Sequence, residues 1–335
     1  MKKKYLWLII LTLLVAIILL CLQFFIMLKE KNKLSLFEEH SAKPIQLTSR
    51  KGTYLSLDNV NFRFAEKVPI LLKNVNADLI PTGKTNIVNF DDVNSFIISL
   101  FKADAYIEAT TLEVIFKDYI FNYPDSVLKL ETIKFINEKE NKIFLNGNLK
   151  FIIWLEFELI GVISYNKEKQ VIQIKAEEIR AVGTSYAKSL LATVGLDLEK
   201  LLPIPEGRGI TVKSNYIYIK PFAIFPPPKL EGTILSVDVQ GSKLHIAIDN
   251  GKSIIVPPKP IPNAKNYLFL FKGDMKFGKL FMVDTYLQMV DKDESDVFDF
   301  YLEKYFSVLA KAGSATLGQD KSLKVIMPDY NDTFP

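Results

Sequence analysis

The chain has 335 residues, of which 49% are hydrophobic, 42 are basic and 38 are acidic. Six basic residues but only one acidic residue lie in the first 33 positions, so the rest of the chain is close to neutral. It therefore lacks the basic surface on which tight nucleic-acid binding depends. The 24 phenylalanines and 14 tyrosines exclude an intrinsically disordered chain, because aromatic side chains in such numbers are there to be buried.

Cysteine and histidine are too rare for the common metal and hydrolytic sites. The single cysteine, Cys21, lies in an apolar run, which excludes an intramolecular disulfide framework and a cysteine-based zinc site. Histidine occurs only at His40 and His245. His245 falls in an alternating stretch that predicts a strand, at a position that should face solvent. We expect no metal site, no cofactor and no enzymatic activity.

The N-terminal region predicts a membrane anchor. Residues 5–28 contain only Thr12 and Gln23 as clearly polar members. A helix of this length rises about 36 Å, enough to cross a hydrocarbon core of ~30 Å. No small-residue cleavage site follows it, so we expect an uncleaved signal anchor within residues 1–33 and a stalk over 34–50. The expected product is a single-pass inner or cytoplasmic membrane protein with its N-terminus in the cytoplasm and its main domain outside.

From residue 51 onward, apolar and polar residues alternate with a period of two. The predicted strands include 54–58 and 60–64, a long pair at 148–165 and 170–176, and the hairpins 209–219 and 233–248. Short polar turns between successive strands favour an antiparallel meander. The run 151–163 would extend about 43 Å, which implies a large, curved sheet. The fold class is therefore α+β and mainly β, with the sheet wrapped on a few helices.

Three segments have helical spacing. Thr110 and Glu113 match a capping box ahead of an apolar stripe that runs to residue 123. A second helix is predicted from 184 to 195 and a third from 297 to 310. Proline clusters at 226–228 and 257–262 mark connections. We place a β-rich domain over 51–256 and a proline-linked C-terminal β/α extension over 257–335, and whether the extension folds with the sheet is left open.

Two groups of acidic residues are expected to lie on the solvent-exposed surface rather than to bind a metal or act in catalysis. The run 291–296 has Asp296 and Leu302 where a calcium-binding EF-hand loop needs glycine and glutamate, so we expect a solvated turn before a helix. Glu156 and Glu158 share one face of the long strand. Because Leu155, Phe157 and Leu159 supply the opposite, buried face, the two glutamates are expected to face solvent rather than to form a catalytic pair.

The order of elements from residue 146 to 248 resembles that of bacterial envelope proteins with a tubular lipid-binding (TULIP-like) domain, including the LmeA-like group. The residues that carry the resemblance are the glycine-bounded strand pair 147–176, the helix end Gly195-Leu196-Asp197-Leu198, the link Leu201-Leu202-Pro203, the hairpin 207–215, and Lys220-Pro221 ahead of 226–232. They cover about a third of the chain. The resemblance implies a curved antiparallel sheet around a helix, enclosing an apolar channel, and it implies no catalytic residue.

On periodicity alone the apolar faces are more typical of a packed core, but the resemblance favours a channel. The leading hypothesis is a membrane-anchored envelope protein that binds a lipid or other long apolar molecule. The apolar side chains expected to line the channel are Leu112, Ile115, Phe116, Phe151, Ile153, Leu155, Phe157, Leu159, Leu190, Leu191 and Val194. The alternative is a structural or scaffold component of an envelope assembly with unknown protein partners. An enzyme acting on envelope lipids or glycans is a third hypothesis.

Overall fold

The computed structural model describes residues 52–150, 153–182, 198–251 and 258–334. In chain order the strands are β1 (Thr53–Asp58), β2 (Val60–Arg63), β3 (Pro69–Pro81), β4 (Ile87–Asn89), β5 (Phe96–Glu108), β6 (Leu128–Asn137), β7 (Lys142–Lys150), β8 (Trp154–Asn166), β9 (Val171–Ala181), β10 (Ile210–Lys213), β11 (Tyr216–Ile219), β12 (Lys229–Glu231), β13 (Ile234–Gln240), β14 (Lys243–Asp249), β15 (Tyr267–Phe271), β16 (Asp274–Phe277), β17 (Leu280–Met282), β18 (Tyr286–Asp291), β19 (Phe298–Tyr301), β20 (Ser314–Leu317) and β21 (Leu323–Met327). The helices are α1 (Ala109–Val114), continued by a π-helical turn (Ile115–Ile120), α2 (Leu198–Leu201), α3 (Tyr305–Ala312) and α4 (Tyr330–Thr333).

The predicted mainly β architecture is confirmed, and its largest component is a twelve-stranded sheet, here called the main sheet. Its central order is β13-β14-β5-β3-β1-β15-β18-β21-β20, and β12, β2 and β19 pair outside this path. Because β1 lies between β3 and β15, strands more than 200 residues apart are neighbours. Residues 258–334 therefore fold with the sheet that begins at residue 53, and the described residues belong to one compact unit.

Six strands form the second sheet, in the order β10-β11-β9-β8-β7-β6. Here the predicted meander is correct, since β6 to β9 pair in chain order. The strand predicted over 148–165 is divided between two strands, because β7 ends at Lys150 and β8 begins at Trp154 and pairs back onto it. Residues 154–163 of the long apolar run lie on β8. Leu155, Phe157 and Leu159 are buried on one face of it, while Glu156 is exposed on the other. A three-stranded sheet, β17-β16-β4, completes the β structure of the described residues.

Two helix predictions require correction. The capping residue before α1 is Glu108 rather than Thr110, and no side chain caps this end. Glu113 Oε1 instead accepts a hydrogen bond from the Ile133 backbone N–H on β6, at 2.7 Å. The third helix, predicted from 297 to 310, begins only at Tyr305. The residues before it form β19, which pairs in parallel with β2.

The other predictions fall partly or wholly outside the described residues. The second predicted helix, at 184–195, lies outside the described residues. Residues 1–50, with the predicted anchor and stalk, also lie outside them. Within the described ranges, no helix is long and apolar enough to cross a membrane. The short α2 is described, and the first backbone N–H of this helix, that of Leu198, donates to Asn215 Oδ1 at 3.2 Å.

Polar contacts join the turns of the second sheet to β13, the edge strand of the main sheet. The Tyr165 hydroxyl donates to the Ile234 carbonyl at 3.0 Å, and the Ile234 N–H donates to Gln170 Oε1 at 2.9 Å. Further along the strand, the Val239 N–H donates to Asn141 Oδ1 at 2.9 Å. A single hydrophobic cluster includes residues of both sheets. The space between the two sheets is thus part of the core.

Candidate ligand-binding interior

The first cavity lies against the inner face of the main sheet and encloses about 50 Å³ of empty space. Side chains of β1, β2, β3, β5, β12 and β14 line it, together with the segment 221–225, and all of them are apolar. The small side chains of Ala103 and Ala105 lie on its β5 wall, and the larger side chains of Leu55 and Leu57 line it from β1. Alanine occupies two of the inward positions of β5 that line the cavity.

The second cavity lies between the two sheets and encloses about 30 Å³. Its walls are again entirely apolar. Leu112 of α1 and Phe116 of the π-helical turn lie on one side, and isoleucines of the second sheet, such as Ile143 and Ile174, lie on another. Side chains of the helix and of the second sheet thus face the same cavity.

The two cavities share part of their walls. Ile107, Pro221, Phe225 and Ile246 line both of them. Ile107 and Ile246 belong to paired strands, but Pro221 and Phe225 lie in and after a short 3-10 turn, Pro221–Ala223, outside both sheets. An apolar molecule that reaches both cavities would therefore pass the segment 221–225. A shift of this segment would break no strand pairing, because none of its residues belongs to a strand.

The structure places the predicted lining residues in three different settings. Leu112 and Phe116 line the second cavity, and Ile115 is fully buried beside them. The inward side chains of β8 (Leu155, Phe157 and Leu159) are buried in the core but do not line either cavity. Ile153 precedes β8 and is 49% exposed. Phe151, Leu190, Leu191 and Val194 lie outside the described residues.

The lining residues that sequence reasoning missed lie mainly on the main sheet. β5 contributes the largest share of the first cavity wall, and this 13-residue strand was not singled out because its first six residues are all buried rather than alternating. Alternation becomes visible only over its second half, where Ala103, Ala105 and Ile107 point inward. The alternation in this second half is the sequence feature that could have predicted these lining residues.

His245 is not solvent-facing as predicted, because side chains of neighbouring strands cover it. Its ring stacks on Tyr106 at 4.7 Å between centroids. Nδ1 lies 3.0 Å from Asp238 Oδ1, and Nε2 lies 3.2 Å from Asp104 Oδ1. Since Leu244 and Ile246 face the cavities, His245 is on the opposite side of β14 and takes no part in the interior.

The acidic run is exposed as predicted except at its first residue. Asp291 ends β18 and is 3% exposed, and the residues after it lead into a strand rather than a helix. Oxygen atoms of Asp291, Asp296 and Asp329 lie within 4.8 Å of one another. Burial raises the pKa of Asp291 to about 6 and that of Asp329 to about 7. Asp329 Oδ1 already accepts a hydrogen bond from the Asp299 backbone N–H at 2.6 Å, so this cluster is accounted for by protonation and internal hydrogen bonds.

No family model, curated protein or solved structure matches the chain. The resemblance to tubular lipid-binding proteins therefore stays a prediction.

Proposed function

We propose that the protein binds a lipid or another long apolar molecule in the interior between its two sheets. The observation that carries this proposal is the pair of wholly apolar cavities that share Ile107, Pro221, Phe225 and Ile246 as a common wall. Apolar cavities stay free of water, so a ligand entering them has no bound water to displace. Each ligand methylene buried there contributes about 0.8 kcal/mol.

The resting cavities are small, so a long ligand must widen them. The segment 221–225 forms the part of the common wall that lies outside the sheets, and its displacement would join the two spaces without breaking a strand pair. We therefore place the tails of the ligand along a path from the β1–β5 region, past Phe225, to Phe116 below α1.

Mass spectrometry of the full-length chain tests this proposal. The chain is purified in a neutral detergent, and the lipid retained after detergent release in the gas phase is measured per protein molecule. We expect Ala105→Leu, which fills the first cavity, to lower that ratio, and Ala103→Val to do so more mildly if the larger change impairs folding. Ala247→Leu, on the outer face of the neighbouring strand, is the matched control. A wild-type chain without retained lipid, or equal retention in all variants, would count against an internal binding site.

We also propose that residues 5–28 anchor the protein in the membrane with residues 45–335 outside the cytoplasm. The run of 24 residues with only two clearly polar members supports an anchor. Since Cys21 is the only cysteine and lies within this run, a cysteine introduced at the exposed Lys139 gives a single accessible thiol. An impermeant maleimide should label it in intact cells. Labelling only after lysis would reverse the orientation.

A scaffold role is the second candidate, and one edge of the main sheet favours it. β20 is the last strand of the sheet, and all four of its residues are exposed. Leu317 is 72% exposed there, and Ile326 on the adjoining strand is 42% exposed. An unpaired edge with apolar side chains can add a strand from a partner. A photo-cross-linker at Leu317 that captures one reproducible protein would support this role.

A further inference from the structure

A groove lies where the chain passes from the π-helical turn into β6, and it extends to Lys150 at the end of β7. Its volume is about 500 Å³. Three lysines, Lys117, Lys129 and Lys150, line it against a single carboxylate, that of Asp125. We call it the lysine groove.

Two of the three ammonium groups are free to meet a ligand. Lys129 and Lys150 are exposed, and in the described part of the chain neither forms an ion pair. The Lys129 Nζ lies over the ring of Trp154, 4.4 Å from its centroid. Lys117 is partly neutralised, since its Nζ donates to the Glu131 carbonyl and lies 3.7 Å from Glu113 Oε2.

The wall of the groove is continuous with the apolar interior. Phe121 lines the groove, and its ring centroid is 5.8 Å from that of Phe116, which lines the second cavity. Leu130 also lines the groove and is 5% exposed, as part of the same hydrophobic cluster. The Phe116–Phe121 pair thus connects the lining of the basic surface groove to that of the second cavity.

A further cation holds this arrangement in place. Arg208 Nη1 donates to the carbonyl of Tyr119 at 3.2 Å, and its guanidinium carbon is 4.9 Å from the centroid of the Tyr123 ring. Tyr123 lines the groove, so the charge of Arg208 adds to the positive rim beside it.

We infer that the lysine groove binds the anionic phosphate headgroup of a lipid whose tails occupy the interior. This inference rests on the proposed function, because it assigns a headgroup site to the same ligand. Lysine ammonium groups bind phosphate as point charges, and two of them next to an apolar path match the two ends of an amphipathic lipid. The ligand class is therefore an anionic phospholipid rather than a neutral one.

The test compares lipids that share acyl chains and differ only in the headgroup. Fluorescent phosphatidylglycerol, phosphatidylcholine and diacylglycerol are titrated into the full-length chain in a neutral detergent, with glycerol 1-phosphate as a soluble anion. In Lys129→Gln/Lys150→Gln we expect about a tenfold weaker affinity for phosphatidylglycerol, as for the loss of two exposed charge contacts, with diacylglycerol binding unchanged. Lys134→Gln/Lys175→Gln, two exposed lysines of the same sheet outside the groove, should behave as wild type.

The outcomes separate this inference from the proposed function. Equal affinity for the two phospholipids, or no effect of the groove variant, overturns the headgroup site while diacylglycerol binding upholds the internal site. Failure of every lipid to bind overturns both. Binding of glycerol 1-phosphate as tight as that of phosphatidylglycerol would identify a site for a free phosphate ester and overturn the assignment to a lipid. Circular dichroism melting curves of each variant verify that the fold is intact.

Discussion

The ion pair between Arg63 and Asp299 offers the sharpest test of how the two ends of the chain are joined. Arg63 Nε and Nη2 donate to the two carboxylate oxygens of Asp299 at 2.7 and 2.9 Å. The side chains are only 11% and 8% exposed. Arg63 Nη1 also donates to the Glu66 carbonyl at 2.6 Å. The pair therefore connects β2 to β19 across 236 positions of sequence.

Removing one partner should cost far more than removing both. Arg63→Met leaves the Asp299 carboxylate buried with only long contacts from Asn61 and the Asn331 N–H, at 3.3 and 3.4 Å. We expect a loss of about 3–5 kcal/mol in the free energy of unfolding, the usual result of leaving a buried charge without its partner. Asp299→Leu should be as harmful. Because the double variant leaves neither charge, it should recover about 2–3 kcal/mol relative to the sum of the single losses.

Equilibrium urea unfolding of the full-length chain, followed by far-ultraviolet circular dichroism, measures these values. The control is the pair Lys243–Glu108, also between neighbouring strands, which has a 2.7 Å contact but side chains 34% and 51% exposed. Its single variants should cost no more than about 1 kcal/mol. If the Arg63 and Asp299 variants were equally mild, or if their effects simply added, the attachment of the C-terminal residues through this pair would be refuted.

Three other predictions concern stability. The pKa values of Asp291, about 6, and Asp329, about 7, are raised in the folded state, so the folded protein binds more protons than the unfolded chain between about pH 4 and pH 7. The free energy of unfolding should therefore fall as the pH rises across this range. Asp329→Asn should reduce the difference between the urea midpoints measured at about pH 4 and about pH 7. Gly147→Ala would place a Cβ 2.2 Å from the Lys129 carbonyl oxygen and should cost about 2 kcal/mol or more in thermal unfolding. The control is Gly83→Ala, whose Cβ would make only ordinary contact, 3.8 Å from Thr85 Oγ1. Glu113→Ala should cost about 1–3 kcal/mol by leaving a buried backbone N–H on β6 without its acceptor, whereas Glu113→Gln, which keeps an acceptor oxygen, should be nearly neutral in the same unfolding assay.

Local pairing was predictable from the sequence and distant pairing was not. The second sheet follows from alternation and short polar turns, because β6, β7 and β8 each pair with the next strand in the chain. The main sheet does not follow, since β1 pairs with β15 from the far end of the chain. Alternation identifies which face of a strand is buried, but it contains no information about which strand lies alongside.

The errors at His245 and at the third helix have this same origin. His245 points away from the cavities, as alternation requires, yet Tyr106 and Asp104 of the paired strand β5 cover it. Phe298 and Tyr301 satisfy a helical spacing, but they lie in β19, where all four residues are buried. The extended conformation is stabilised by β2, which pairs in parallel with β19 and contributes the buried counter-charge for Asp299. In both cases the deciding residues lie more than 100 positions away.

A packed core differs from a binding interior in the volume left empty between its side chains. The alternation of polar and apolar residues in a sequence does not predict that volume. Ala103 and Ala105 satisfy the same alternation as leucine or isoleucine would, yet they occupy less of the space beside the first cavity, which they line. An empty apolar cavity of about 50 Å³ costs about 1 kcal/mol at ~24 cal/mol per Å³. Burial of only one or two ligand methylenes, at about 0.8 kcal/mol each, offsets that loss. The protein is therefore less stable with this cavity empty than with an acyl chain in it.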